Sequence, residues 1–464
     1  MDPIPFPSLS PSSSSNAVNT LPSNAVNTLI NKPEYTLMSK PENTLINKPE
    51  NTLTHDAFLH DDEIYDVVIA GGGATGLLAG LLAYRAGLRT LILEKRSEPR
   101  HHSRSIGIHP PSLRLLKSVG LLEQFVTGGI VIRKGIASSG FGKILGYLDF
   151  RELPGDCPFI LALPQWQTEA LLEDELRRHD RNMVRRGCTL TDFQQIEDPE
   201  GDFSSGVVSL TAQSVQGPSF SLKTRLLLAC DGKNSFIREQ LGIRFRGRAY
   251  QNRYAMGDFT DDTAFGNDAV IFLHPEGMVE CFPLPGGLRR WVVQQPDGPP
   301  LSDPAGLVRV ISQRCGLKPE RDENRMFSAF GVERYLADAC WRNRILLAGD
   351  AAHIVSPIGG QGMNLGWLDA ADAIKIITDF RKGKIKRDQA ADRYNQTVRK
   401  RARKAISRAE FNMKLGGASR MSGWRNLVVR GLLATPLRHR LLLRFTMHGL
   451  PGTEKTGFLK QAGQ

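Results

Sequence analysis

Six residues constrain this chain more than any others: Gly71-Gly-Gly73-Ala-Thr-Gly76, set between an apolar run and a helix-forming stretch. Tyr65 to Ala70 reads as a buried strand and Leu77 to Ala86 as a helix. In such a junction Gly71 permits the tight turn, Gly73 lets backbone approach a pyrophosphate, and Gly76 lets the helix pack closely on the strand. A second apolar strand, Thr90 to Leu93, ends on Glu94, where a carboxylate can accept hydrogen bonds from ribose hydroxyls. Val67 to Tyr84 is uncharged and has the length of a membrane span. The three glycines in its middle favour strand, turn and helix instead.

Two later segments repeat the pattern of strand, acid and helix. Asp231-Gly-Lys-Asn-Ser-Phe-Ile-Arg238 follows the apolar run Leu226 to Ala229. Alone it is an ordinary capped junction. Ala348-Gly349-Asp350-Ala-Ala-His353 follows a further apolar run and continues through Pro357, Gly359, Gly360, Gln361, Gly362, Met363 and Asn364. Asp350 is placed to hold ribityl or ribose hydroxyls. The glycine-rich loop would set backbone N–H groups of a helix start against an anion or a flavin carbonyl. His353 is read as a structural hydrogen-bonder rather than a catalyst.

Around these motifs the chain divides unevenly. Residues 1–60 are Ser/Pro-rich and contain an eight-residue repeat, Asn27 to Glu34, Tyr35 to Glu42 and Asn43 to Glu50. One apolar pair per repeat cannot offset chain entropy, so a disordered tail is expected there. Segments 130–163 and 206–295 alternate apolar residues between Gly/Pro turns, as sheet does. Ala391, Tyr394, Val398, Ala402, Ala405, Ala409 and Met413 recur at helical spacing and form one apolar stripe. The six cysteines show no CxxC or zinc spacing, so reduced thiols and no metal site are expected. The net charge of +12 is concentrated at the end: residues 381–464 hold 21 Lys/Arg against 4 Asp/Glu. Such a basic region suits either an anionic surface or helices packed on the core with arginines reaching outward. Leu433, Leu437, Leu441 and Phe445 form a stripe there, broken by Arg430, Arg444 and Pro436.

Taken in order, the glycine turn, the Asp231-Gly segment and the Gly349-Asp350 segment resemble the single-component flavoprotein aromatic hydroxylases, the family of para-hydroxybenzoate hydroxylase and the ubiquinone-pathway hydroxylases. Gln167-Thr168-Glu169 before a leucine-rich helix, and Arg104 about ten residues past Glu94, resemble it too. The resemblance covers about residues 64–380. It implies an α/β fold: a Rossmann-like FAD-binding domain (about 64–129, 164–190, 225–250 and 340–380) interleaved with a mixed-sheet substrate domain (about 130–163 and 191–335). A basic helical C-terminal region, 381–464, follows. It also implies FAD contacts from Gly71, Gly73, Gly76, Glu94, Arg104, Gln167, Asp231, Asp350, Gly362, Met363 and Asn364. Asp231 and Arg238 would support NADH or NADPH as co-substrate, and Pro357 would line the reaction cavity. Phe282 and Trp291 are read as core ahead of substrate contacts.

The implied function is an FAD-dependent monooxygenase that uses NAD(P)H and O2 to hydroxylate an aromatic or other electron-rich small molecule through a flavin hydroperoxide. No catalytic acid or base is identifiable from the sequence. The alternative is a membrane-associated hydroxylase or epoxidase of a polyprenyl quinone or isoprenoid. The expected partner is a small molecule and not nucleic acid. The expected location is cytoplasmic, with peripheral contact at the inner face of a membrane as the reading that the basic region raises.

Overall fold

The computed structural model describes residues 64–100, 104–140, 143–196, 201–215, 217–295, 297–320 and 324–452. The repeats and the tail expected over 1–60 lie outside the described residues.

The strand Ile64–Ala70 sits inside an eight-stranded sheet. It pairs in parallel with Ser219–Ala229 on one side and Thr90–Glu94 on the other. Val67, Val68 and Ile69 are fully buried, which is why the run is apolar without alternation. Ile345–Leu347 and Val184–Arg186 extend the parallel core outward. The helices Ala74–Arg85, Gln165–His179 and Gly362–Arg381 contact one another against this sheet. Gly80 has Ile92 against it so closely that a Cβ there would meet Ile92 Cδ1 at 2.4 Å.

The strands Cys188–Ile196 and Val207–Ser214 pair antiparallel with each other and with Ser219–Ala229. This corrects the expected boundary: the substrate segment was drawn from 191, but the first sheet holds these strands. Residues 245–250, which the expected FAD and substrate segments both include, open the long strand Phe245–Thr260 of the second sheet. Both outcomes have one cause. An alternating amphipathic strand fits the edge of either sheet, and only its hydrogen-bonded partner decides.

The second sheet also has eight strands, including Met326–Ala337, Phe245–Thr260, Leu288–Gln294, Val279–Leu284 and Ala269–Phe272 in that order. Its two faces do different work. Phe259, Val279, Cys281, Trp291 and Val293 pack beneath the helix Pro304–Cys315. Met256, Glu280, Phe282 and Val292, from the alternate positions, line a cavity on the opposite face. Trp291 is therefore core, whereas Phe282 faces the cavity.

After Gly362–Arg381 the chain forms three more helices, Arg387–Gly416, Ser422–Ala434 and Leu437–Phe445. The long one buries Tyr394, Val398, Ala402, Ala405, Ala409 and Met413, and it also buries Arg401 on that face. Val429, Leu433 and Leu442 are buried, and Leu433, Leu441 and Phe445 line the cavity from the side of these helices. Three residues of the apolar stripe are thus turned to the protein, whereas Leu437 is exposed. Trp424, Leu427 and Val428 stay exposed on the outer side. Among the described residues no helix is long and apolar enough to cross a membrane.

Candidate active site

The parallel strands of the first sheet end side by side, and each end delivers a motif residue. Ala70 leads into Gly71, Thr90–Glu94 ends on its acid, Ala229 is followed two residues on by Asp231, and Leu347 precedes Asp350. All four ends open on one cavity of about 1440 Å³. Ligands of open α/β sheets collect at this place, outside the carboxyl ends of the strands.

The glycine turn is shaped by close approach. Gly71 has φ +107° and a Cβ there would lie 2.3 Å from the Cys230 carbonyl oxygen. At Gly76 a Cβ would lie 1.9 Å from the Gly71 oxygen. At Gly73 it would reach only Glu169 Oε1, at 3.7 Å, so this glycine leaves open space toward the cavity. Gly76→Ala is expected to open the turn and cost about 1–3 kcal/mol. Chemical denaturation of the purified variant checks this, and an unchanged midpoint would contradict the packing described.

Two helices begin at the cavity without a side-chain cap of their own, Ala74–Arg85 after Gly73 and Gly362–Arg381 after Gln361. Their free N–H groups and positive ends suit an anion or a polarised carbonyl. Glu169 Oε1 accepts from the Ala74 N–H at 3.1 Å and from Gln165 Nε2 at 2.7 Å.

The acids around the cavity differ in charge preference. Burial would raise the Glu94 carboxyl, but hydrogen bonds from the Arg96 side chain and backbone and from the Gly72 N–H hold it below the usual carboxylate range. Asp231 is pushed upward by burial, opposed by bonds from Ser235 and the Ile237 N–H. Asp350 is accessible from the cavity, with no hydrogen bond or ion pair from any described residue. Enclosure raises its carboxyl, with attraction from His353 and Lys233 opposing. An acid at the cavity surface with no protein partner is free to accept from a ligand rich in hydroxyls.

Of the residues expected to bind the cofactor, Gly71, Gly73, Glu94, Arg104, Asp231, Asp350, Pro357, Gly362 and Met363 line the cavity. Four do not. Gly76 acts through packing. Gln167 turns away, and it is Gln165 and Glu169, one helical turn apart, that face the cavity. Asn364 is fully buried, accepting from the His109 N–H and donating to the Gly107 and Gly360 carbonyls. Arg238 is also buried. It donates to the Ala351 and Lys233 carbonyls and stacks 3.9 Å over Phe245, bracing the two acidic loops.

His109 went unforeseen. Its Nε2 lies 3.1 Å from the Gly359 carbonyl oxygen, and burial pushes its pKa down to about 4. The neutral ring therefore donates from Nε2 and helps hold the glycine loop. Only its neighbours Pro110 and Pro111, which start a helix, mark it in the sequence.

His353 sits beneath Asp350 and is 1% exposed. Its Nε2 is 2.5 Å from Asp369 Oδ2. Asp369 also accepts from the Gly349 N–H at 3.2 Å and from Arg401 Nη2 at 2.8 Å. This buried network ties the Asp350 loop to the long C-terminal helix.

Comparison with known proteins agrees with this geometry. A family described as the FAD binding domain matches residues 64–409. The chain belongs to this FAD-binding family. Among relatives, it is 33% identical over 316 residues to a Bacillus subtilis protein described as an uncharacterized aromatic compound monooxygenase, covering 66% of this chain and 60% of that one. It is 32% identical over 323 residues to the rifampicin monooxygenase of Streptomyces venezuelae, covering 66% and 62%. The chain thus spans about 60% of the length of these curated relatives. Among solved structures, the anhydrotetracycline hydroxylase of Streptomyces rimosus superposes with TM-score 0.67 at 28% identity, over 83% of this chain and 76% of that one. The p-nitrophenol 4-monooxygenase of Pseudomonas putida shares the fold, with TM-score 0.73 at 23% identity over 82% and 98%. The cavity residues of this FAD-binding chain fit the group: open glycine backbone, two helix starts and an acid without a protein partner converge where a dinucleotide lies in such folds.

Proposed function

We propose that this chain is an FAD-dependent monooxygenase that uses NADH or NADPH and O2 to hydroxylate an aromatic small molecule. The observation that carries the reading is the shape of the cavity. One end gathers the dinucleotide-fitting groups, and the other is walled by the apolar inner face of the second sheet, with Met256, Phe282, Val292 and Phe330.

Gly71, Gly73 and the start of Ala74–Arg85 would hold the pyrophosphate, with Glu94 at the adenosine ribose. Asp350 would hold ribityl hydroxyls, and the N–H groups of Gly362 and Met363 would meet a ring carbonyl. Bound FAD supplies electron transfer from the nicotinamide and activation of oxygen. The chain's own residues orient the ring system and exclude water. Pro357, Ile358 and Gly359 form part of the wall between the two ends, held by His109 and Asn364 from behind.

The purified protein is expected to be yellow and to release FAD on denaturation. It should consume NADH or NADPH and O2 faster when phenols are added. A colourless protein that takes up no added FAD, or one whose cofactor oxidation no phenol, quinone or isoprenoid accelerates, would overturn the reading. Stimulation by isoprenoids alone would favour the lipid-directed alternative.

A further inference from the structure

The sheet half of the cavity contains one acid that nothing above uses. Glu280 lies on Val279–Leu284 and points to the cavity, while Val279 and Cys281 on either side turn into the opposite core. Its register partners, Ile271 and Val292, also line the cavity. The residue is 6% exposed, and no described residue hydrogen-bonds or ion-pairs with its carboxyl.

Two cations that line the cavity, Arg290 and Arg104, are engaged elsewhere. Arg290, two residues from Val292 on the neighbouring strand, grips Asp258 at 2.6 and 2.7 Å. Arg104 stacks 5.1 Å over Phe330 and donates to Ser328 Oγ. On the strand Phe245–Thr260, the Tyr254 hydroxyl is buried without a hydrogen-bond partner, and its titration is pushed upward by burial and by Glu280. Across the cavity, Asn412 of the long helix is neutral and its Oδ1 has no partner.

A buried acid without a donor costs stability unless something supplies one. Resting on the hydroxylase reading, we propose that Glu280 is the substrate-reading residue: its carboxylate accepts a hydrogen bond from a hydroxyl on a neutral aromatic substrate and takes that proton as the ring reacts. The step is a plain proton transfer. The substrate O–H bond breaks, its electron pair stays on the phenolic oxygen, and the proton passes to Glu280. The oxygen so charged pushes electron density into the ring, which makes it a better nucleophile. The same carboxylate repels substrates that present a carboxylate at this position.

Burial alone raises the Glu280 pKa to about 7, so its acceptor strength changes near neutrality. A folded-state value raised above the unfolded one destabilises the protein progressively as pH rises from the unfolded value toward about 7. Glu280→Gln should therefore melt higher than wild type at about pH 8 and alike at about pH 4.

The test uses FAD-loaded protein and three fluorescent probes: 2-naphthol, its methyl ether and 2-naphthoate. Wild type should bind the naphthol about tenfold or more tightly than the ether above neutral pH. The preference should shrink as pH falls through about 7, and the naphthoate should bind weakest. Glu280→Gln should keep part of the preference without the pH dependence, and Glu280→Leu should lose both. Normal FAD loading, and melting no lower than wild type in the two variants, separate this from misfolding. A wild type indifferent to the hydroxyl, a preference that survives in Glu280→Leu, or naphthoate bound as well as naphthol would each overturn the assignment. Because binding is read without turnover, a Glu280-dependent preference in a protein that consumes no NAD(P)H would leave this assignment standing and remove the hydroxylase reading.

Discussion

Replacing Arg401 by methionine is expected to lower the unfolding free energy by about 3–5 kcal/mol, the usual cost of leaving one partner of a buried ion pair behind. Arg401 is 1% exposed and reaches Asp369 Oδ1 at 2.8 Å, Asp372 Oδ2 at 2.7 Å and the Pro451 carbonyl at 2.9 Å. Asp369 has no exposure at all, so without Arg401 only His353 and the Gly349 N–H would face its charge. In the intact network, burial acts to raise the Asp369 carboxyl, but His353 and Arg401 together hold it below its ordinary value. An acid whose folded value is depressed contributes stability above its unfolded value and loses it as pH falls. The deficit of Arg401→Met should thus be largest at neutral pH and shrink in acid, where Asp369 becomes neutral in either protein. Urea denaturation at several pH values measures this. A loss under about 1 kcal/mol at neutral pH, or one that grows toward acid, would contradict the network. Arg401→Met should also loosen FAD, because Asp369 anchors the loop that carries Asp350.

Asp350→Ala, in contrast, is expected to spare the fold and weaken the cofactor. Among the described residues Asp350 makes no hydrogen bond to protein, so its removal leaves no partner stranded. Asp350 is exposed to the cavity, and the alanine variant should melt close to wild type without FAD. With FAD, the loss of a hydrogen bond to a charged acceptor, about 1.5–3 kcal/mol, should raise the dissociation constant roughly ten- to hundredfold. Titration by flavin fluorescence reads the change directly. Unchanged FAD affinity would mean that Asp350 faces something other than the cofactor, and an apoprotein that melts much lower would mean that it is structural. The pair of variants is informative together. Arg401→Met strikes the fold and reaches the cofactor through it, whereas Asp350→Ala strikes the cofactor alone.

Much of the cofactor end was legible in the chain because its chemistry is local. A glycine forced to φ +107°, an acid closing a strand and a helix start beside it occupy neighbouring positions, so order and spacing reveal them. Which expected residues fall outside the cavity lining also follows a physical rule. Gln167 and Glu169 belong to one quoted segment, but the helix phase turns only the second toward the cavity. Asn364 and Arg238 carry the polar atoms of a binding residue, yet each donates to one nearby carbonyl, Gly360 or Lys233, and to one distant in sequence, Gly107 or Ala351.

The sequence by itself determined the strand Ile64–Ala70, the glycine turn and the acids at the strand ends, because each is encoded by residues within a turn or two of one another, and the order of these local motifs pointed to the family. Tertiary structure alone decided which sheet receives Cys188–Ile196, which face of the second sheet meets the cavity, and that Leu433 and Leu441 are spent on protein rather than lipid. It alone also left Glu280 without a hydrogen bond or ion pair among the described residues. An alternating strand or an apolar helix stripe states only that one side avoids water. What covers that side, and whether a buried charge finds its partner, depends on segments distant in sequence whose meeting no local pattern records.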